Sequence, residues 1–234
     1  MNNLLRIFTF TLLPIFLIAC GGSNSDSNDI AGVDGIRENI ITSNMSGGFP
    51  WNGSSSTRTA LKIWSIDVDG LIPVKHKNIP EAIYALNEIE MKTGKILFDR
   101  NSIINTPDQE VERGLVFSFG TALGPNGVEA NGCGHVGAVG GSVSYPQGWY
   151  DADGHIQGPL QVNIDSDQPG GCTNGSNMNK IAVHEVGHAL GLGAHFTGFG
   201  IGDIYDDNMW NALYNMYRNQ PLTDIEGLTI EKAF

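Results

Sequence analysis

Apolar residues recur at Ile79, Ile83, Leu86, Ile89 and Met91, close to the helical repeat, with Pro80 at the start of the stretch and Gly94 at its end. Proline suits the first turn of a helix and glycine the position just past the last, so this spacing predicts an amphipathic helix. Around it the period shortens. "TALKIWSIDVD", with Leu61, Ile63 and Ile66 or Val68, predicts a strand, and Pro73-Val74 a second short extended piece. "KILFDR" and "GLVFSFGTA" carry the branched and aromatic density of strands, and in "GPLQVNID" Leu160, Val162 and Ile164 alternate onto one side. A Gly-rich region from Gly124 to Gly158 has few long apolar runs and yields no element. A second helix is predicted from Asn179 to Leu190. Strands and helices in this order predict a mixed α/β (α+β) domain.

The chain has 234 residues, 41% of them hydrophobic, which suits one globular domain. Its formal net charge of -12 argues against nucleic acid as a partner. The first twenty residues, "MNNLLRIFTFTLLPIFLIAC", hold one arginine and then an apolar run too short and too interrupted by proline to span a membrane well. Leu17-Ile18-Ala19-Cys20, followed by Gly21-Gly22, resembles the lipobox of bacterial lipoproteins. That resemblance implies a signal peptide over residues 1–19, cleavage before Cys20, and lipid chains on Cys20 that anchor the protein to the cell envelope. Gly21, rather than aspartate, after the cysteine points to the outer membrane. From Gly21 to about Thr57 the composition is rich in Ser, Asn, Gly and Asp, so residues 20–57 read as a flexible tether, with "GIRENIIT" a brief helical turn at most. The folded domain is then expected over 58–234. With Cys20 lipidated, Cys133 and Cys172 remain as a pair that an oxidising compartment permits to form a disulfide. The competing reading, two metal-binding thiols, lacks a CxxC-like pairing.

The chemistry concentrates in "IAVHEVGHALGLGAHF", Ile181 to Phe196, which holds three of the six histidines. His184 and His188 are four apart, so on a helix both side chains stand on one face and reach one metal ion. Glu185 is turned about 100° from His184 around the axis. That offset takes it out of direct ligation and places it to act as a general base on water. Catalytic zinc commonly uses three protein ligands, so a third must come from farther along the chain.

His184, Glu185, His188 and Gly191 match, residue for residue, the first part of the pattern HExxHxxGxxH, and in this the chain resembles the metzincin family of zinc peptidases. The resemblance implies a zinc-protease domain with a twisted mixed sheet and two helices above a cleft, and a smaller irregular part below. It implies that Gly191 ends the helix and turns the chain back beneath the metal. It further implies Zn2+ as cofactor, peptide-bond hydrolysis with Glu185 as base, and an edge strand, in the place of "LQVNID", that receives extended polypeptide substrate through main-chain bonds. The pattern's third histidine falls on Ala194, whereas the histidine here is His195. A flexible "GLGA" loop accommodates one extra residue, so His195 is the expected third ligand, with Asp203, Asp206 and Asp207 as acidic alternatives. In such a loose loop, deletion of Ala194 is expected to be tolerated. Met216 is the expected methionine-turn residue forming an apolar floor under the zinc, with Met209 its rival, and "LTDIEGL" resembles the final helix that follows such a turn.

Other features are weaker. "DADG" (Asp151 to Gly154) and "NIDSD" (Asn163 to Asp167) offer oxygen ligands for calcium, although ordinary turns explain them as well. His135 and His155 are candidates for a second, structural zinc. Two readings compete with a peptidase: a noncatalytic surface lipoprotein that keeps the fold for binding, against which an intact Glu185 and both helix histidines speak, and a zinc hydrolase of another substrate. The anchor is tested directly by Cys20→Ser. The native protein is expected to partition into detergent, and the variant to be released or to retain its signal; an unchanged soluble fraction in both refutes the lipobox reading.

Overall fold

The computed structural model describes residues 31–45, 60–120, 133–139, 151, 153–164 and 178–234. Five segments form one sheet: β1 (Ile72–Lys75), β2 (Phe98–Asp99), β3 (Leu115–Phe119), β4 (Gly134–Ala138) and β5 (Leu160–Ile164), in the order β2-β1-β3-β5-β4. Every neighbouring pair is parallel except β4 with β5, which runs antiparallel and sets Gly134 opposite Ile164 and His135 opposite Asn163. The helices are α1 (Val33–Ile40), α2 (Ile66–Asp69), α3 (Pro80–Thr93), α4 (Met178–Ala189) and α5 (Asp207–Met216). Two further two-residue strands, β6 (Phe196–Thr197) and β7 (Gly200–Ile201), pair with each other. The mixed α/β expectation holds.

Parallel strands need a crossover between them, and α3 supplies the one from β1 to β2. It buries Ala82, Ala85, Leu86, Ile89 and Thr93, and ends at Gly94 in the left-handed conformation. Met91, assigned to the apolar face by the sequence pattern, is 66% exposed. α4 packs against α3, β5 and β4, and buries Ile181 to Gly187 without a break. A helix covered on nearly every side places its polar side chains in a poorly solvated interior, and here those are His184 and Glu185.

Four expectations are corrected. "TALKIWSIDVD" is not a strand: Leu61, Lys62, Ile63 and Trp64 are buried in succession, with isolated bridges from Ala60 to Asp224 and from Ile63 to His155 in place of a ladder, and Ile66–Asp69 is α2. The segment runs through the interior with both sides covered, which no period-two pattern encodes. "LQVNID" is β5, an inner strand; the edge on that side of the sheet is β4, from the Gly-rich region that gave no sequence signal, and the other edge is β2. No helix follows Met216, since α5 ends there and "LTDIEGL" is turns with a single bridge at Asp224.

That last segment is held in another way. Asn211, Asn215 and Asn219 lie one turn apart along α5 and just beyond it, and each amide pairs with main chain of the C-terminal segment. Asn219 takes Thr229 N–H (2.9 Å) and donates to Thr229 C=O (2.9 Å), and Asn215 does the same with Glu231 (2.8 and 2.8 Å). Asn211 accepts from Ala233 N–H (2.8 Å) and donates to Phe234 C=O (3.2 Å). Four helical residues rise about 6 Å and two extended residues about 6.6 Å, so the two repeats stay in step.

The fourth correction concerns the tether. Its part from Val33 to Met45 is folded: α1 runs straight into a π-helical turn, Ile41–Met45, and Ile36, Ile40 and Met45 are fully buried members of the one hydrophobic core. Arg37 donates to the carbonyls of Ile225 (2.8 Å) and Leu228 (3.1 Å), fastening α1 to the C-terminal segment. Residues 1–30, with the signal segment and Cys20, and 46–57 lie outside the described residues. Truncating Ile40 to Ala is accordingly expected to cost about 2–4 kcal/mol in denaturant unfolding of the full chain. A true tether residue gives no change.

Candidate metal centre

α4 presents His184 and His188 one turn apart, as the spacing requires. The helix then ends in a Schellman motif: Leu192 N–H donates to Gly187 C=O (3.1 Å) and Gly191 N–H to His188 C=O (3.0 Å), with Gly191 at φ +117°. A side chain at 191 is excluded twice, by that φ and by space, because its Cβ would stand 2.9 Å from the Asn44 amide nitrogen and 3.0 Å from the Met216 methyl. Gly191 therefore ends the helix and turns the chain back as expected, and the turn delivers His195.

The Nε2 atoms of His184, His188 and His195 converge, at 3.1 Å for His184–His188, 3.1 Å for His184–His195 and 3.2 Å for His188–His195. The Nδ1 atoms of the two helical histidines face carbonyl oxygens, that of Ile204 for His184 (2.8 Å) and that of Leu192 for His188. A carbonyl only accepts, so each Nδ1 carries the proton and each Nε2 is left as a bare lone pair. Bare lone pairs at this separation repel unless a cation lies between them. Three nitrogens about 2.05 Å from a tetrahedral metal ion are separated by about 3.3–3.4 Å. The observed triangle is slightly tighter, and its donor set fits three of the four corners of a tetrahedral metal ion. The three histidines are the one such cluster among the described residues.

Asp203, Asp206 and Asp207 stand apart from it. Asp206 caps α5, accepting from Asn208 N–H at 2.7 Å, and Asp207 opens that helix. The extra residue before His195 is no slack either. Gly193 and Ala194 N–H donate to Ser43 C=O (2.9 and 3.3 Å), and Ser43 Oγ donates to Ala194 C=O (2.8 Å). Both polar groups of Ala194 are engaged, so the expectation that its deletion is tolerated is reversed. Gly200, at φ +76°, passes beneath His195, where a Cβ would come within 2.5 Å of the imidazole.

The floor of the cluster is Phe199, which the sequence reading missed. Its ring stacks on His184 (centroids 4.3 Å apart, planes at 26°) and meets His188 and His195 edgewise at 4.8 and 5.6 Å. It approaches α4 where Gly187 leaves room. Met216, expected there, packs against Gly191 at the helix end, and Met209 against Gly187. An aromatic two residues before a Gly-rich turn carries no motif, and only the fold identifies it.

Glu185 is 6% exposed and leans on the edge strand: a Cβ at Gly134 would lie 2.4 Å from its Cγ and 2.5–2.7 Å from its carboxyl group. Burial raises its pKa to about 8. Burial also lowers His184 to about 3, helped by the neighbouring His195 and opposed by the Ile204 carbonyl, and lowers His188 and His195. His135, beside Gly134 on β4, is lowered by burial as well, and its charge disfavours protonation of His188. His155 lies apart from that pair of features, its Nδ1 3.4 Å from Asp69 and 3.8 Å from Asp151. The Asp151 carboxylate accepts from the N–H groups of Asp153 and His155 and from the Gln157 amide, an ordinary turn. Asp165 to Asp167 and Cys172 lie outside the described residues.

No protein-family model, curated protein or solved structure matches the chain. The site stands on its own geometry.

Metal-free protein is expected to be most stable near pH 6.5. Below that unfolded-state value the unfolded chain takes up protons that folded His184, His188 and His195 resist, His184 down to about 3; together they outweigh Glu185, so stability falls with falling pH. Above 6.5 the histidines no longer contribute, while folded Glu185 keeps, up to about 8, a proton that the unfolded chain has lost, so stability falls with rising pH. Thermal unfolding of apo protein against pH checks both limbs, and Glu185→Gln is expected to flatten the alkaline one.

Proposed function

We propose that the chain is a zinc-dependent endopeptidase, held at the bacterial outer membrane by lipid on Cys20. The observation that carries the reading is three converging imidazole Nε2 atoms, two from a buried helix and one from the loop that follows it, with a carboxyl group one residue after the first of them. The HExxHxxG match supports a metzincin-like site. Three departures mark it as a divergent one: the extra residue before His195, Phe199 in the place of a methionine floor, and no helix after Met216.

His184, His188 and His195 would hold the ion. Zinc, when bound, supplies Lewis acidity toward a scissile carbonyl and makes water a better nucleophile. Glu185 takes a proton from the attacking water as the new C–O bond forms, and returns it to the amine as the C–N bond breaks, so that one water is consumed per peptide bond. Its burial suits this double duty, because a carboxyl group whose pKa is lifted toward neutrality both accepts and gives a proton at working pH. A nearby cation draws that pKa back down, which keeps the base ionised in the loaded enzyme.

β4 supports a choice of substrate class. A strand at the end of a sheet can pair its main chain with an extended polypeptide, and Gly134 brings this one against Glu185. Strand addition gives affinity with little dependence on side chains, so unfolded protein is the substrate proposed. Pairing of Cys133, just ahead of β4, with Cys172 would pin that strand in an oxidising compartment.

Glu185→Gln is expected to retain stoichiometric zinc and lose at least about a hundredfold of casein hydrolysis, because the ligands stay and the base goes. His195→Ala is expected to lose most of the zinc, while single alanines at Asp203, Asp206 and Asp207 leave it near normal. Metal analysis beside a peptidase assay on each variant decides both points; full activity of Glu185→Gln ends the mechanism.

A further inference from the structure

We infer that Ser43 and Asn44, from the far end of the chain, are positioning residues of the metal site: they set the course of Gly191–His195 and thereby the place of the third imidazole. The inference rests on the three-histidine reading above.

A residue inserted into a buried loop brings one more N–H and one more C=O that need partners. Here both belong to Ala194, and both are met by Ser43, whose carbonyl also takes Gly193 N–H. Asn44, fully buried, serves the start of the same loop. Its Nδ2 donates to Gly191 C=O (2.8 Å) and to Lys62 C=O (2.7 Å), and its Oδ1 accepts from Lys62 N–H (2.9 Å). Two consecutive residues thus grip the loop at both ends, immediately ahead of His195. The π-helical turn Ile41–Met45 explains how they do so: a helix end leaves its last carbonyls without partners in the helix, and that of Ser43 turns to the loop. Asn44 C=O accepts instead from Lys62 Nζ (3.1 Å), a buried ammonium that also donates to Ala60 C=O (2.9 Å).

A brace aims a ligand only if it is itself fixed. Ile36, Ile40 and Met45 are at 0% exposure, Arg37 is fastened to the C-terminal segment, and Ala31 N–H donates to Asn208 Oδ1 at 2.7 Å. The loop has one more residue than the family pattern, and the brace occupies the position where that extra residue needs support. The two features match: without Ser43 the longer loop loses the partners of both polar groups of Ala194, and without Ala194 the Ser43 hydroxyl loses its acceptor.

The test uses the mature full chain loaded with cobalt(II), whose visible absorption reports ligand geometry and whose affinity is read by chelator competition. Ser43→Ala removes only the hydroxyl contact to Ala194. It is expected to weaken cobalt binding about three- to tenfold, the range of one lost hydrogen bond, and to shift the visible bands. Ile36→Val, which trims the same segment without touching the loop, is expected to lower the melting temperature and leave both readouts unchanged. Asn44→Ala, if it folds, is expected to exceed Ser43→Ala. A Ser43→Ala protein with native affinity and spectrum overturns the inference, and so does an Ile36→Val protein that reproduces the shift. Unsubstituted protein that binds no cobalt, or His195→Ala with the native spectrum, overturns instead the metal reading beneath it.

Discussion

Three imidazole Nε2 atoms held within 3.2 Å of one another are the constraint around which the site is arranged. Those of His184 and His188 are lone pairs, and left to themselves they repel. The carbonyls of Ile204 and Leu192 prevent the simplest escape, a change of tautomer, by occupying the far nitrogens of His184 and His188. What remains is a donor set whose repulsion a cation converts into ligation. Binding free energy spent at such a site is folding free energy for every segment that converges on it.

Burial makes the site reactive as well as costly. α4 is packed between α3 and the sheet, so desolvation moves His184 and Glu185 in opposite directions, one toward a neutral base and the other toward a protonated acid. The same packing fixes the geometry, because Phe199 under the rings and Gly134 beside the carboxyl group leave few alternative rotamers. A second ionisable group, His135, stands on the same edge strand and adds to the bias against protonated His188.

Support reaches the site from parts of the chain far apart in sequence. Trp64 Nε1 donates to Ala189 C=O, Tyr217 Oη to Leu190 C=O, and Asn44 Nδ2 to Gly191 C=O, so three consecutive carbonyls at the end of α4 are capped by three distant side chains. Helix ends leave such groups open, and these partners satisfy them without water. The asparagine ladder on α5 does comparable work for the C-terminal segment, which in turn holds α1 through Arg37. The lipid attachment proposed at Cys20 therefore leads by a short stretch of chain into the brace of the metal loop.

The amino-acid sequence by itself determined what depends on local repeat and local chemistry. The helical period around Ile83 and Leu86, the strand density of Leu115–Phe119, the His184–Glu185–His188 face and the turn at Gly191 are properties of a few neighbouring residues, and each is found where it was expected. Met91 and the segment around Lys62 were misjudged because burial there is imposed by distant neighbours rather than by period. Tertiary structure alone decided that His195 rather than an aspartate completes the cluster, that Phe199 lies against its rings, that β5 is an inner strand and β4 an edge, and that Ser43 reaches Ala194. In each case the deciding contact spans residues with no shared pattern. A hydrogen bond between Ser43 and Ala194, 151 positions apart, leaves no periodic trace in either segment. It exists because burying an N–H or C=O without a partner is costly, and the fold supplied the nearest one.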